Sequence, residues 1–164
     1  MPGAKDSLEV IRVVELTVKE PRGCAFSEYL MEILKAQPAE EMRESFVLVK
    51  KSGDPERFGI VVALCADTTP VKKVAVIFGP AAAQDDADCL ISCGLSPKET
   101  LTVSSYSDDT LVIALQRAVR TLYGQEILPQ EYVCEMRRAD RTAYALLAAA
   151  TLLALGRSPA DQSF

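Results

Sequence analysis

The sequence contains no histidine, no tryptophan and no asparagine. Without histidine, the chain offers no Ser-His or Cys-His dyad, no imidazole metal ligand and no imidazole group that titrates near neutral pH. Without asparagine, it has no acceptor site for N-glycosylation. It also lacks the glycine-rich signatures GxGxxG and GxxxxGK(S/T), so the sequence predicts no cofactor and excludes several familiar enzyme classes.

Length and charge set further limits on the fold and on the partners. The chain has 164 residues, of which 49% are hydrophobic and 25% are charged, a composition typical of one globular domain. We expect that domain to span residues 1–156, and residues 157–164 to form a flexible tail. The net charge of -5 argues against nucleic acid as a partner, because nucleic-acid binding usually leaves a basic surface.

The chain has an odd number of cysteines, five, and none of them forms a CxxC pair. Since no N-terminal signal peptide is evident either, the sequence favours a reducing, cytoplasmic location with mostly buried thiols. Packing explains Cys89 and Cys93 better than zinc binding does, so we predict no metal site. Arginines near Cys24 and Cys134 could activate either thiol, although no histidine is present to act as a base, so a reactive thiol stays the alternative to an inert one.

The stretch from Phe58 to Phe78 holds two apolar runs joined by a short polar segment, Asp67 to Pro70. Because β-branched residues dominate both runs and the segment has turn chemistry, the sequence predicts an antiparallel hairpin. Neither run alternates apolar and polar residues. Both faces of the hairpin must therefore be covered, either by helices of this chain or by the surface of another protein.

The periodicity of the remaining segments predicts the fold class. Strands are predicted over residues 8–19, 46–51 and 101–106. Helical spacing and capping residues predict helices over residues 28–34, 81–93, 108–123, 130–138 and 142–155. The expected fold is a single α+β domain, or an α/β sandwich, with a mixed and mostly antiparallel sheet of about five strands covered by roughly four or five helices.

A candidate ligand site follows from this topology. A right-handed crossover from the strand at residues 74–78 to the strand at residues 101–106 would bring their carboxyl ends together. Open α/β sheets bind ligands at this position, and the nearby polar residues are Asp85, Ser107 and Asp108. Their oxygens could bind a divalent cation or perform acid-base chemistry. The alternative is that Ser107 and Asp108 only cap the following helix.

The segment from Thr142 to Leu155 is apolar on every side of a helical wheel. It is too short to span a bilayer, so no membrane span is predicted. Such a helix must be buried, and because one small sheet offers limited cover, we expect it to dock on a protein partner or on a second copy. Arginines precede it, with a solvated helix face as the alternative explanation. The predicted partner-binding residues are Tyr144, Leu147, Leu152, Leu155, Arg137, Arg138 and Arg141.

These observations support two functional hypotheses. The first is a non-catalytic assembly, adaptor or scaffold subunit that binds a protein through its apolar C-terminal helix. The second is a small ligand- or metal-binding protein, or a histidine-free enzyme, with its site near Ser107 and Asp108. Because no catalytic motif is present, the sequence favours the first hypothesis and leans away from an enzyme.

Overall fold

The computed structural model describes residues 12–37, 44–49, 59–64, 74–79, 89–160 and 162–164. Within these ranges the chain forms two α-helices and ten β-strands. The helices are α1 (Phe26–Lys35) and α2 (Thr142–Ala154). The strands are β1 (Arg12–Lys19), β2 (Glu44–Val49), β3 (Gly59–Ala63), β4 (Val74–Phe78), β5 (Cys89–Cys93), β6 (Leu101–Ser107), β7 (Thr110–Leu115), β8 (Val119–Arg120), β9 (Glu126–Ile127) and β10 (Gln130–Glu135).

Eight of these strands form one sheet in the order β10-β7-β6-β5-β4-β3-β1-β2. The strands from β6 to β2 in this order are parallel, whereas β7 and β10 add an antiparallel extension. The strands β8 and β9 pair separately. The prediction of a mostly antiparallel sheet under several helices is therefore wrong. The fold is α/β, with a mostly parallel sheet and two α-helices among the described residues.

The predicted hairpin over residues 58–78 is a pair of parallel strands. In the sheet, β3 lies beside β4 with Ile60 paired with Val74 and Val62 paired with Val76. The predicted turn at residues 67–70 lies outside the described residues. Two-sided burial, which the sequence does predict for these runs, is a feature of parallel strands. It is a better guide to their pairing than the polar segment between them.

Three segments that were predicted as helices contain strands. The strand β5 ends the segment 81–93, of which residues 81–88 lie outside the described residues. The strand β7 opens the segment 108–123, and β10 occupies most of the segment 130–138. In β7, Leu111, Ile113 and Leu115 are buried and the residues between them are half-buried, which is the two-residue period of a strand. The spacing of Leu111 and Leu115 also fits a helical turn, and short apolar runs of this kind do not distinguish the two structures.

The helices α1 and α2 pack against each other on one face of the sheet. The helix α2 contacts β3, β4, β5 and β6, and every side chain from Ala145 to Leu155 is at most 3% exposed. It ends in a Schellman motif, in which Gly156 has a φ of 75° and the N–H groups of Gly156 and Arg157 donate to carbonyls of the last turn. The predicted helix is confirmed, and the sheet and α1 enclose its apolar surface within this chain.

The residues after Gly156, which were predicted as a flexible tail, pack on the body of the protein. Phe164 is 5% exposed and belongs to the main core. Its N–H donates to the carbonyl of Glu135 at 2.9 Å, and Ser163 forms a parallel bridge with Glu135 at the end of β10. The prediction of a free tail therefore does not hold for residues 157–160 and 162–164, because backbone hydrogen bonds and core contacts fix them.

Candidate functional site

The order of the strands changes direction at β1. From β1 the chain passes through α1 to β2 on one side, and β3 returns to pair with the other side of β1. The carboxyl ends of β1 and β3 are adjacent, since the N–H of Leu64 donates to the carbonyl of Lys19 at 3.0 Å. Open α/β sheets bind ligands at such a switch point. The residues that follow β1 are therefore candidates for a binding site.

The first polar residue after β1 is Glu20, and it binds the start of α1. The N–H and the hydroxyl of Ser27 both donate to the Glu20 carboxylate, at 3.0 Å and 2.7 Å. A carboxylate is favourable here because the helix N-terminus carries partial positive charge. The place where many α/β proteins hold an external anion is thus filled by a side chain of this chain.

Beside this helix start, the loop after β1 meets the first turn of α2. The thiol of Cys24 lies 2.9 Å from the hydroxyl of Tyr144, a hydrogen bond in which either atom could donate. The Tyr144 ring packs edge-on against Phe26, with centroids 5.2 Å apart, and tilted against Tyr29 at 5.5 Å. The guanidinium of Arg141 lies 5.9 Å from the Tyr29 ring centroid and 5.8 Å from that of Tyr144. These five residues are called the Tyr144 cluster below.

Both phenols of the Tyr144 cluster have a raised pKa and are neutral at physiological pH. Burial raises the pKa of Tyr29, and Arg141 lowers it to a smaller extent. The hydrogen bond with Cys24 is the main cause of the raised pKa of Tyr144, followed by burial. A phenol with a raised pKa is a poor general base near neutral pH but remains a hydrogen-bond donor. Both phenols are therefore protonated near neutral pH and can donate hydrogen bonds.

Exposure within the Tyr144 cluster differs from residue to residue. Phe26 and Tyr29 are buried, while Cys24, Arg141 and Tyr144 are half-buried. The cluster thus presents a thiol, a phenol and a guanidinium to the surface over an aromatic floor. Arg141 forms no ion pair with a carboxylate in the part of the chain that the structure describes.

The fold is similar to that of MurF from Acinetobacter baumannii. The match to this crystal structure has a TM-score of 0.51 and 12% sequence identity, and it covers 90% of this chain and 43% of the MurF chain. The chain therefore spans less than half the length of MurF. At this identity the likeness shows the Rossmann-like α/β fold alone. No protein-family profile matches the chain, and no curated protein sequence does.

The predicted partner-binding residues fall into two groups. Leu147, Leu152 and Leu155 are buried in the core of this chain, so they form no surface for a partner. The polar members remain accessible, because Arg137 and Arg138 are exposed and Arg141 and Tyr144 are half-buried. Arg137 lies 3.8 Å from Glu135, and Arg138 lies 2.9 Å from Asp140.

The two strands that were predicted to form a ligand site at their carboxyl ends are not neighbours in the sheet. Ser107 and Asp108 are exposed and lie at the turn of the hairpin formed by β6 and β7, and Asp85 lies outside the described residues. The strand β5 separates β4 from β6, and β6 begins where β5 ends, since Cys93 pairs with Leu101. Ser107 therefore lies roughly 20 Å beyond the carboxyl end of β5, because six residues of β6 separate it from Leu101 at about 3.3 Å per residue.

The two candidate reactive thiols have different surroundings. Cys134 is buried and its thiol donates to the carbonyl of Pro159 at 3.1 Å, whereas Cys24 is half-buried in the Tyr144 cluster. Glu20, Phe26 and Tyr29 were missed as site residues. The position of Glu20, directly after a predicted strand and before a predicted helix, is the signal that could have found it.

The described residues were also compared with what a metal site and a membrane-spanning helix require. No group of three or more cysteine, aspartate or glutamate side chains within the described ranges is arranged to hold a metal ion. Neither α1 nor α2 combines the length and the hydropathy that a membrane-crossing helix needs.

Proposed function

We propose that this chain is a non-catalytic protein-interaction module that binds its partner at the exposed side of the Tyr144 cluster, with Arg137 and Arg138 at the margin. The contact surface proposed here is the start of α2 and the loop after β1. It replaces the apolar middle of α2, whose leucines are buried. Cys24 and Cys93 carry free thiols, which supports a cytoplasmic location as part of the proposal.

One observation carries this proposal: the half-buried guanidinium of Arg141 lies over the rings of Tyr29 and Tyr144. Arginine and tyrosine are enriched at the centres of protein interfaces, because they combine a large, stiff contact area with polar groups. The cation–π contacts with both rings restrain the guanidinium, so it loses less freedom when a partner binds. Its fork of donors suits a carboxylate, so the partner is expected to present an acidic residue here.

A pair of synthetic peptides tests the role of Arg141 in binding. One peptide alternates glutamate and alanine, and the other has glutamine in place of glutamate. Fluorescence anisotropy should detect binding of the glutamate peptide and weaker binding of the glutamine peptide. Arg141→Ala should weaken binding of the glutamate peptide by about tenfold or more, since a hydrogen bond to a charged group contributes about 1.5–3 kcal/mol to binding.

Arg120→Ala is the matched control, because Arg120 is an exposed arginine on β8, outside the Tyr144 cluster. It removes the same charge and should leave binding near the wild-type value. Equal binding by wild type and Arg141→Ala would overturn the proposal. So would an equal loss in both variants, because that result would indicate an effect of overall charge rather than of this surface.

A further inference from the structure

The two edges of the eight-stranded sheet differ in how they are protected. At one edge, β10 carries the exposed carboxylates Glu131 and Glu135. The C-terminal residues also pair with this edge, since the N–H of Glu135 donates to Gln162 and its carbonyl accepts from Phe164. Charged side chains and a covering segment are common ways to prevent another strand from pairing with an edge. The β10 edge is thus closed.

The other edge, β2, is less protected among the described residues, since its one charged residue, Glu44, lies at its first position. Its sequence is Glu44-Ser45-Phe46-Val47-Leu48-Val49, with no lysine and no proline. Its pairing with β1 runs without a bulge from Glu44 to Val49, and no strand of the described residues pairs with its outer side. Val47 and Leu48 are 46% and 44% exposed, although they lie on opposite faces of the sheet.

We propose that two copies of this chain pair antiparallel through β2, about a two-fold axis that passes Val47 and extends the sheet from one copy into the other. This surface is separate from the Tyr144 cluster. In this register Val47 lies opposite Val47 of the second copy, and Phe46 lies opposite Leu48. Side chains on the same face meet, so both helix layers lie on the same side of the joined sheet.

The charge of the strand favours a second copy as the occupant. Glu44 is the one charged residue of β2, and it is largely buried in an ion pair with Arg157. Two β2 strands can therefore approach without repulsion between like charges. The alternative register, centred on Phe46, would place Leu48 opposite Glu44 and is less well matched.

The association is expected to be weak and dependent on concentration. A single short edge strand offers less surface than the roughly 800 Å² per partner found in stable complexes. Light scattering and sedimentation over a wide range of protein concentration should show a monomer that converts to a dimer. A wild-type chain that stays monomeric throughout would overturn the proposal.

The self-facing position of Val47 allows a sharper test. Val47→Lys and Val47→Glu each place like charges opposite each other across the axis, and each should weaken the dimer by about fivefold. An equal mixture of the two variants should restore association, because lysine then faces glutamate. Circular dichroism checks that both variants are folded, as expected for a half-exposed position.

Val133→Lys is the matched control, since Val133 is 57% exposed on the opposite edge strand, β10. It should leave the dimer unchanged. Undiminished association of Val47→Lys would overturn the proposal, as would equal weakening by Val133→Lys. A mixture of the Val47 variants that fails to associate would overturn the register centred on Val47.

Discussion

The hydroxyl of Tyr29 is buried and has no hydrogen-bond partner among the described residues. A buried polar group without a partner lowers the free energy of unfolding by about 1–3 kcal/mol, because folding removes it from water. Tyr29→Phe removes the hydroxyl and keeps the ring that packs on Tyr144, so it should raise the free energy of unfolding by about 1 kcal/mol at neutral pH. Urea denaturation measures this difference.

The same variant should also change the response of stability to alkaline pH. Burial raises the folded-state pKa of Tyr29 above its unfolded value of about 10. Above that pH the unfolded chain loses the proton first, so wild-type stability falls as pH rises, and Tyr29→Phe lacks this loss. Its advantage should therefore grow above pH about 10. The exposed Tyr106→Phe serves as control, and a Tyr29→Phe advantage that does not depend on pH would contradict this account.

Single residues of the site were partly predictable. Residue type and neighbouring charge identified Cys24, Arg141 and Tyr144 one by one as candidates for binding or reactivity. Their contact depends on the packing of α1 against α2, which brings together Cys24 and Tyr144, 120 residues apart in the chain. Periodicity and spacing describe local structure only, so the sequence did not predict that these residues share one surface.

At the scale of elements, an ion pair ties three parts of the chain together. Arg157, in the C-terminal segment, binds Glu44 at the start of β2, and the hydroxyl of Tyr123 donates to the same carboxylate at 2.6 Å. The Arg12 guanidinium of β1 lies 4.9 Å from the Tyr123 ring centroid. Glu44→Gln removes the carboxylate from a largely buried guanidinium, so it should lower the free energy of unfolding by about 3 kcal/mol.

An exposed ion pair provides the comparison for Glu44. Glu135→Gln alters the pair between Glu135 and Arg137, whose side chains are 58% and 73% exposed. It should lower the free energy of unfolding by less than about 1 kcal/mol. Urea denaturation of both variants measures the two costs. Similar small losses would mean that the Glu44 pair contributes no more than a surface pair does.

Element type was predictable where two independent signals agreed. The helices α1 and α2 combine helical spacing of apolar residues with a clear end, at Pro38 for the predicted first helix and at Gly156 for α2. In β7 the signals conflicted, because Ser107, Asp108 and Asp109 fit a helix start as well as a hairpin turn. The β-branched residues Val112 and Ile113 favoured the strand, which is the structure that forms.

At the scale of the whole molecule, the sequence underestimated the size of the sheet. About five strands could not enclose a helix that is apolar on every side, so a partner was expected to cover the rest of its surface. The parallel order places β3, β4, β5 and β6 under α2 together with α1, and this larger surface buries the helix. Parallel order depends on contacts between distant segments, which a single sequence without clear crossover helices does not reveal.

Hydrogen exchange of the monomeric chain tests most directly whether α2 is enclosed by its own subunit. The backbone amides from Leu146 to Ala154 should exchange only through global unfolding, as slowly as those of the central strand β4. This protection should persist at protein concentrations at which no dimer forms. Exchange of these α2 amides far faster than that of β4 in the monomer would contradict the account, because it would mean that the helix needs a partner to stay buried.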